Sequence, residues 1–296
     1  MVEHSVTKPV ITQEMIALYD DYTHLSLDRR KFMDSLVKLA GSTAAAATAA
    51  TMMAANAKAE DMVPESAEGI AHESVTYPGA TGEMQGYLVY PTNVEGPLPA
   101  VIVVHENRGL NAHIKDVARR MALEGFLVLA PDFLSPLGGT PEDEDEARNM
   151  FGELSGAEVA ANGVASVDFL KTHQRSTGKV GATGFCWGGG TVNAIAVHTP
   201  DLLAAAPYYG AQPAAEDVAH IKAKMVLHYA GLDDRINAGI PAFQKALDEA
   251  GVDYDLYIYD GVNHAFNNNT SDARYDKAAS DLAWSRTIAL FHETLG

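Results

Sequence analysis

The chain has 296 residues, of which 47% are hydrophobic and 20% are charged, a composition typical of one globular domain with a full core. Its formal net charge of −18 disfavours binding to nucleic acid or to anionic membrane surfaces, because both depend on cationic side chains. The single cysteine excludes a disulfide framework within the chain, and no CxxC or HExxH spacing indicates a metal site.

The first 59 residues resemble a twin-arginine export signal. Arg29 and Arg30 come before a weakly apolar stretch rich in Ala and Thr, and residues 57–59 read Ala-Lys-Ala, the form of a cleavage site. The stretch is too weakly apolar for stable membrane insertion. We therefore expect a periplasmic protein with a signal segment at 1–59 and a folded domain at 60–296. The alternative is a helical extension on a cytoplasmic protein, because "ITQEMIALYDDY" also has a helical pattern.

From residue 73 onwards, strand patterns alternate with helix patterns. The stretch 83–91 alternates apolar and polar residues, which predicts a half-buried, antiparallel strand, whereas 100–106 is a continuous β-branched run typical of a parallel strand. Further strands are predicted at 126–132, 179–185, 203–210, 225–231 and 253–260. Helices are predicted at 111–125, 142–155, 157–173, 187–198, 239–250 and 274–294. This alternation predicts an α/β fold with a mostly parallel sheet and helices on both faces.

The only cysteine, Cys186, lies in "GFCWGGG", at the end of a predicted strand and the start of a helix. In the frame G-x-C-x-G the chain turns so tightly that the central side chain projects above the sheet as a nucleophile. The flanking positions, Gly184 and Gly188, are small because side chains there would collide with the neighbouring strand and helix. The helix N-terminus also favours a thiolate. The alternative is a buried structural cysteine.

Two further candidates follow later strands. Asp233 lies in "LDDRIN" after the strand at 225–231, where a carboxylate can orient a catalytic histidine, and its neighbour Asp234 is the competing candidate. Either aspartate could instead be a helix cap. His264 lies in "GVNHAF" between the last strand and the last helix. The order nucleophile, acid, histidine is that of the α/β-hydrolase fold. His105, at the end of the strand 100–106, is expected to pack or orient rather than to act as the base.

The segment "VVHENRGLN" follows an early strand, where this fold supplies part of an oxyanion hole. We expect the backbone N–H groups of Asn107 and Trp187 to stabilise a tetrahedral oxyanion, each contributing roughly 3–4 kcal/mol. Glu106 is expected to lie close to the sulfur of Cys186. Its negative charge would oppose ionisation of the thiol and keep it protonated until a substrate binds.

These motifs, together with "LAPD", resemble the dienelactone hydrolase (carboxymethylenebutenolidase-like) family over residues 73–294. The resemblance implies an α/β-hydrolase fold, hydrolysis of a small ester or lactone, and no cofactor. It also implies that Cys186 is the nucleophile, His264 the base, Asp233 its orienting acid and Glu106 the partner of the resting thiol. Members of the family are usually cytoplasmic, which counts against the export signal.

The sequence departs from the family where substrates are held. Members that cleave dienelactone place two arginines near the site. The corresponding segments of this chain read "FLSPLGG" and "AFNNN", and neither contains an arginine. Arg108 and Arg235 are nearby in sequence but not at those positions. Because an arginine pair is a preferred means of recognising carboxylates, another ester or lactone fits as well as dienelactone itself. Trp187 and two tyrosines, Tyr208 and Tyr209, are candidates for an apolar pocket wall, although the tyrosines could equally belong to the core.

Two other functions compete with this prediction. A thiol site of the glutamine amidotransferase type also uses G-x-C-x-G, but it needs a glutamate two residues after the histidine, where this chain has Phe266. The second alternative is an α/β-hydrolase scaffold that serves as a non-catalytic binding or thiol-sensing protein. The sequence specifies no oligomeric state.

Overall fold

In the computed structural model the described residues are 9–24, 27–54 and 61–296. Eight strands form a single sheet in the order β1-β2-β4-β3-β5-β6-β7-β8. They are β1 (Ile70–Pro78), β2 (Glu83–Pro91), β3 (Leu98–Val104), β4 (Leu127–Asp132), β5 (Ser176–Phe185), β6 (Leu202–Tyr208), β7 (Lys224–Ala230) and β8 (Tyr254–Tyr259). β2 is antiparallel to both β1 and β4, and the remaining pairs are parallel. The mostly parallel sheet predicted from the sequence is thereby confirmed.

Ten α-helices accompany these strands within the described ranges. They are α1 (Gln13–His24), α2 (Arg29–Ala40), α3 (Thr43–Met53), α4 (Ala112–Leu123), α5 (Glu144–Met150), α6 (Gly156–Thr172), α7 (Trp187–His198), α8 (Asp234–Asn237), α9 (Ile240–Ala250) and α10 (Lys277–Leu295). The seven strand patterns and the helices from 111 onwards all correspond to observed elements. β1 and α8 were missed, because β1 has no clear alternation of burial and α8 is a single turn.

Two apolar clusters fill the space on either side of the sheet. One contains buried residues of α6, α7 and α9, and the other contains those of α4 and α10. The central strand β3 is buried along almost its whole length, as expected from its continuous apolar sequence between two helical layers. The structure is therefore a three-layer sandwich whose parallel strands all point their carboxyl ends at one edge, where α/β proteins hold their ligands.

The N-terminal helices α1–α3 have a small core of their own, built around Tyr19, Phe32 and Leu36. Asp28 caps the start of α2 by accepting a hydrogen bond from the Lys31 N–H, so the twin arginines occupy a helix start. Residues 57–59, the predicted cleavage site, lie outside the described residues. Across the described ranges, no helix has the length and apolar character needed to cross a bilayer.

Several polar contacts attach these helices to the sandwich, close to the carboxyl edge of the sheet. Arg29 forms an ion pair with Asp145 at 2.9 Å, and the Asn107 side chain donates a hydrogen bond to the Thr23 carbonyl at 2.9 Å. Farther along, the Ser271 hydroxyl donates to the Met53 carbonyl at 2.9 Å. The end of α1 is therefore held over the sheet edge from which the predicted site residues project.

The sharp turn between β5 and α7 requires glycines, as the sequence predicted. A Cβ atom at Gly184 would lie 2.5 Å from the carbonyl oxygen of Gly188. A Cβ atom at Gly188 would press into the carbonyl oxygens of His105 and Val104, which are backbone atoms and cannot rotate away. The strand, the helix and the loop after β3 consequently pack backbone against backbone at this point.

We expect Gly188→Ala to destabilise the protein by about 1–3 kcal/mol, the usual cost of forcing an extra carbon into a packed site. Urea denaturation followed by circular dichroism measures the change. Gly156→Ala is the matched control, because Gly156 starts α6 and a methyl group added there would have no atom within 4 Å, so we expect no loss of stability. An equal loss in both variants would contradict the close packing at Gly188.

Candidate active site

The nucleophile candidate Cys186 has a strained backbone. Its φ of 57° and ψ of −115° immediately precede α7, and its own N–H donates to the Tyr208 carbonyl at 3.0 Å. Within the described residues, three non-glycine residues have φ in the left-handed region, namely Cys186, Tyr209 and Ala265. All three lie beside the sulfur or beside His264. Because backbone strain persists mainly at functional sites, this clustering marks the carboxyl edge of β5, β6 and β8 as the site.

His264 and Asp233 meet in the structure although 31 residues separate them. The Nδ1 atom of His264 lies 2.5 Å from Asp233 Oδ2, and a carboxylate oxygen accepts hydrogen bonds, so Nδ1 is the donor. The other carboxylate oxygen accepts from the Ile236 N–H at 3.2 Å. Asp234, the competing candidate, is exposed. The loops after β7 and β8 therefore bring Asp233, rather than Asp234, to the imidazole.

The charges of this cluster reinforce one another. Burial favours a neutral His264, but a negative charge on Cys186 and the bonded Asp233 carboxylate outweigh burial and raise the pKa of His264 to about 10. Burial likewise opposes ionisation of Asp233, but the hydrogen bond and charge of His264 hold the pKa of that carboxyl below its usual value. An ionised sulfur and a protonated His264 would therefore stabilise each other.

A second histidine, which no sequence motif had singled out, contacts the sulfur directly. His24 is the last residue of α1, and its Nε2 atom lies 2.8 Å from Cys186 Sγ. Its Nδ1 atom lies 3.0 Å from the Asp20 carbonyl oxygen and donates to it, which leaves Nε2 as an acceptor for the thiol proton. Burial and the positive charge of His264 lower the pKa of His24 well below its ordinary value, so this imidazole is neutral.

Glu106 lines the same small cavity as Cys186, but its hydrogen bond goes elsewhere. Its Oε2 atom accepts from the Asn268 side chain at 2.7 Å, and the thiol is paired with His24. Burial, only partly offset by Arg274, raises the pKa of Glu106. The cavity that these side chains enclose has a volume of about 30 Å³, room for about two water molecules.

His105 has a structural role, as predicted. Its Nδ1 donates to the Glu106 carbonyl at 2.7 Å, its Nε2 accepts from the Phe133 N–H at 3.1 Å, and its ring stacks on Trp187 at 5.5 Å between centroids. Both ring nitrogens are therefore occupied. The contacts hold the loop that carries Glu106 and Asn107 against the start of α7.

A larger cleft of about 400 Å³ also reaches Cys186, His264 and His24. Its walls include three aromatic residues and two arginines: Phe151, Trp187, Tyr209, Arg148 and Arg235. No sequence pattern had placed the two arginines together. The volume is within the range of small-molecule sites. Of the two tyrosines considered, Tyr209 lines this cleft, whereas Tyr208 is buried in the core with its hydroxyl 2.7 Å from Thr287 Oγ1.

Comparison with known proteins identifies a family. The model of the dienelactone hydrolase family matches residues 84–295. A protein of Escherichia coli named "Putative carboxymethylenebutenolidase" is 30% identical over 257 residues, covering 81% of this chain and 93% of the relative. Protein usf of Aquifex pyrophilus is 35% identical, covering 72% of this chain and 94% of the relative. A dienelactone hydrolase-like promiscuous phosphotriesterase from metagenomic libraries has a similar structure, with a TM-score of 0.67, 26% identity, and coverage of 77% of this chain and 100% of the other.

Proposed function

Because the chain belongs to the dienelactone hydrolase family and is a hydrolase of ester or lactone bonds, we propose that it acts through a Cys186–His264–Asp233 triad. The observation that carries this proposal is the strained Cys186 at the head of α7, with the paired His264 and Asp233 beside it. One imidazole nitrogen of His264 lies within 4.8 Å of the Sγ atom of Cys186, and Nε2 is the nitrogen that the bond to Asp233 leaves free. Catalytic hydrogen bonds are often long without substrate and shorten when it binds.

In the proposed reaction the thiol proton passes to His264, whose imidazolium is stabilised by Asp233. The thiolate attacks the carbonyl carbon, and the carbonyl electron pair moves onto oxygen. The backbone N–H groups of Asn107 and Trp187 are proposed to receive this oxyanion. Neither group is used by a hydrogen bond within the described residues, which leaves both available.

Collapse of the tetrahedral intermediate breaks the bond to the leaving oxygen, which takes the proton from His264 and leaves a thioester on Cys186. The same imidazole then removes a proton from water, whose oxygen attacks the thioester carbonyl. Release of the acid returns the thiolate, and the proton on His264 restores the thiol. Glu106 is proposed to limit ionisation of the empty site, because its own carboxylate would face the thiolate across a cavity of about 30 Å³.

The cleft supports a small ester or lactone as the substrate. Phe151 and Trp187 offer apolar and aromatic surface next to the sulfur, and Arg148 and Arg235 add positive charge. The Nη1 atom of Arg148 is buried without a hydrogen-bond partner in the described part of the chain, although Asp145 lies 3.6 Å away. A substrate with an acidic group thus has cationic partners, even though the family's usual arginine positions hold other residues.

We expect rapid quenching of the enzyme with p-nitrophenyl acetate to trap one acetyl group on Cys186, because the thioester precedes water attack. Acid quenching followed by intact-mass measurement and peptide fragmentation locates the adduct. Enzyme whose thiol was first alkylated with iodoacetamide is the control, and it should give neither adduct nor turnover. An acetyl group on a different residue, or full turnover after alkylation, would exclude the proposed nucleophile.

A further inference from the structure

Three metal-ligating side chains converge beside the small cavity, each from a distant part of the chain. They are His24 at the end of α1, Cys186 before α7 and His264 in the loop after β8. One ligand atom from each, two imidazole nitrogens and the sulfur, lies within 4.8 Å of the other two. Local spacing motifs do not reveal such a site, because its members are brought together only by the fold.

Both imidazoles are held with the same nitrogen facing the sulfur. The Nδ1 atom of His264 donates to the Asp233 carboxylate, and that of His24 donates to the Asp20 carbonyl. With each ring in its neutral form, the lone pair of its Nε2 atom is directed toward Cys186. Metal-bound histidines characteristically donate their other N–H to a carboxylate or to a backbone carbonyl in this way.

One of these lone pairs has no partner. The Nε2 atom of His264 is buried and makes no hydrogen bond within the described residues, an arrangement that is costly unless something binds there. In tetrahedral zinc sites, the usual Zn–N and Zn–S bonds put ligand atoms about 3.4–3.6 Å apart. In the present structure the His24 Nε2 atom is 2.8 Å from the sulfur, and no two of the three ligand atoms are more than 4.8 Å apart. The spacing in a zinc site lies between these two distances. Shifts of about 1 Å would thus complete the geometry.

We propose that His24, Cys186 and His264 form a Zn²⁺ site that inhibits the enzyme reversibly. The metal would bond to the sulfur and to both Nε2 atoms as one proton, held either by the thiol or by His264, leaves to solvent, and a water in the cavity would supply the fourth ligand. No oxidation or reduction is involved. A thiolate with two imidazoles selects Zn²⁺ over Mg²⁺ or Ca²⁺, which prefer oxygen. Binding stands on the geometry alone, whereas inhibition rests on the proposed nucleophile role of Cys186.

The site also ties the N-terminal helices to the catalytic domain. His24 is the only one of the three ligands that lies on α1, and the others belong to the sandwich. A bound ion would therefore join the two parts at the point where His24 now contacts the sulfur at 2.8 Å. We expect Zn²⁺ to raise the thermal unfolding temperature of the full chain, because a ligand that binds only the folded state stabilises it.

Metal binding is measured on the full chain by competition with a chromogenic zinc chelator, and Co²⁺ absorption reports a sulfur–metal bond. We expect one Zn²⁺ per chain and a thiolate-to-cobalt band. His24→Gln replaces the imidazole ligand with an amide side chain of similar size and should weaken Zn²⁺ binding by at least about 100-fold. Loss of a residue that only hydrogen-bonds to a metal ligand typically weakens binding by about 10–100-fold. Cys186→Ala should abolish the cobalt band. Zn²⁺ should inhibit ester turnover, and a chelator should restore it.

Control variants distinguish binding at this site from nonspecific binding of Zn²⁺ to an acidic protein. His198→Ala and His220→Ala remove exposed imidazoles and should leave Zn²⁺ affinity unchanged, and an excess of Mg²⁺ should not compete. Unchanged affinity in His24→Gln, a stoichiometry independent of Cys186, or no binding at all would each overturn the proposal. If Zn²⁺ binds as expected but does not inhibit, the metal site stands and the nucleophile assignment fails.

Discussion

Replacing Cys186 with alanine is expected to lower the kcat for p-nitrophenyl acetate by about 10⁴-fold or more, because the covalent step loses its nucleophile. The residual rate would come from the oxyanion donors and the cleft, which position substrate and water without forming a thioester. Since Cys186 is the only cysteine, thiol-specific labelling should vanish in the same variant. Steady-state turnover and labelling of matched protein samples give both results.

A loss of folding must be separated from a loss of chemistry in that experiment. The cysteine side chain is only 7% exposed and belongs to an apolar cluster, but alanine is smaller and fits the same strained turn. Far-UV circular dichroism and the unfolding temperature of Cys186→Ala should therefore stay close to the wild type. A correctly folded variant that keeps more than a tenth of the wild-type rate would favour the non-catalytic or thiol-sensing alternative for this cysteine.

The fold was predictable because its main signals are local. The apolar run of β3 and the alternating pattern of β2 differ in sequence. The structure places β3 as a parallel central strand and β2 as an antiparallel strand between β1 and β4. The helix at 187–198 matches α7 to the residue, since the glycine frame fixes where it starts. The weak alternation of β1 explains its omission, because that strand forms at the edge and depends on pairing with β2.

The candidate residues after the strands were also predictable, since parallel strands bring their carboxyl ends together. Asp233 and His264 meet as the chain order suggested. The sequence did not indicate which other side chain contacts the sulfur. Glu106 was expected beside the thiol, and it lines the cavity while bonding to Asn268. Which acceptor takes the thiol hydrogen depends on side-chain directions that no sequence pattern encodes.

His24 could not be predicted as a site residue, because the N-terminal segment was treated separately from the folded domain. The signal-like pattern of residues 1–59 sets them apart from the domain, and within them His24 has no motif around it. Only the docking of α1, through contacts such as Asn107 to Thr23, brings its imidazole to the sulfur. Export with cleavage near residues 57–59 would remove this histidine from the mature enzyme, whereas retention of the segment would keep it. The periplasmic and cytoplasmic alternatives therefore predict two different resting sites.

The second large effect is expected at Asp233. Asp233→Asn should lower kcat by about 10⁴-fold, the loss seen when an amide replaces the carboxylate of such a triad. An asparagine side chain keeps the shape but can present its NH₂ group to His264, which then turns or holds its proton on the wrong nitrogen. The variant also removes the charge that helps to raise the pKa of His264. The pKa of His264 should therefore fall, and the pH dependence of kcat should shift to lower pH.

Asp234→Asn is the matched control, because it makes the same chemical change one residue away on an exposed side chain. We expect its kcat to stay within about twofold of wild type, as for surface substitutions without a special contact. The contrast decides between the two aspartates that the sequence left in competition. A large loss in Asp234→Asn with little loss in Asp233→Asn would reassign the acid. Equal losses would point to the turn between β7 and α8, where Asp233 also caps the helix through the Ile236 N–H.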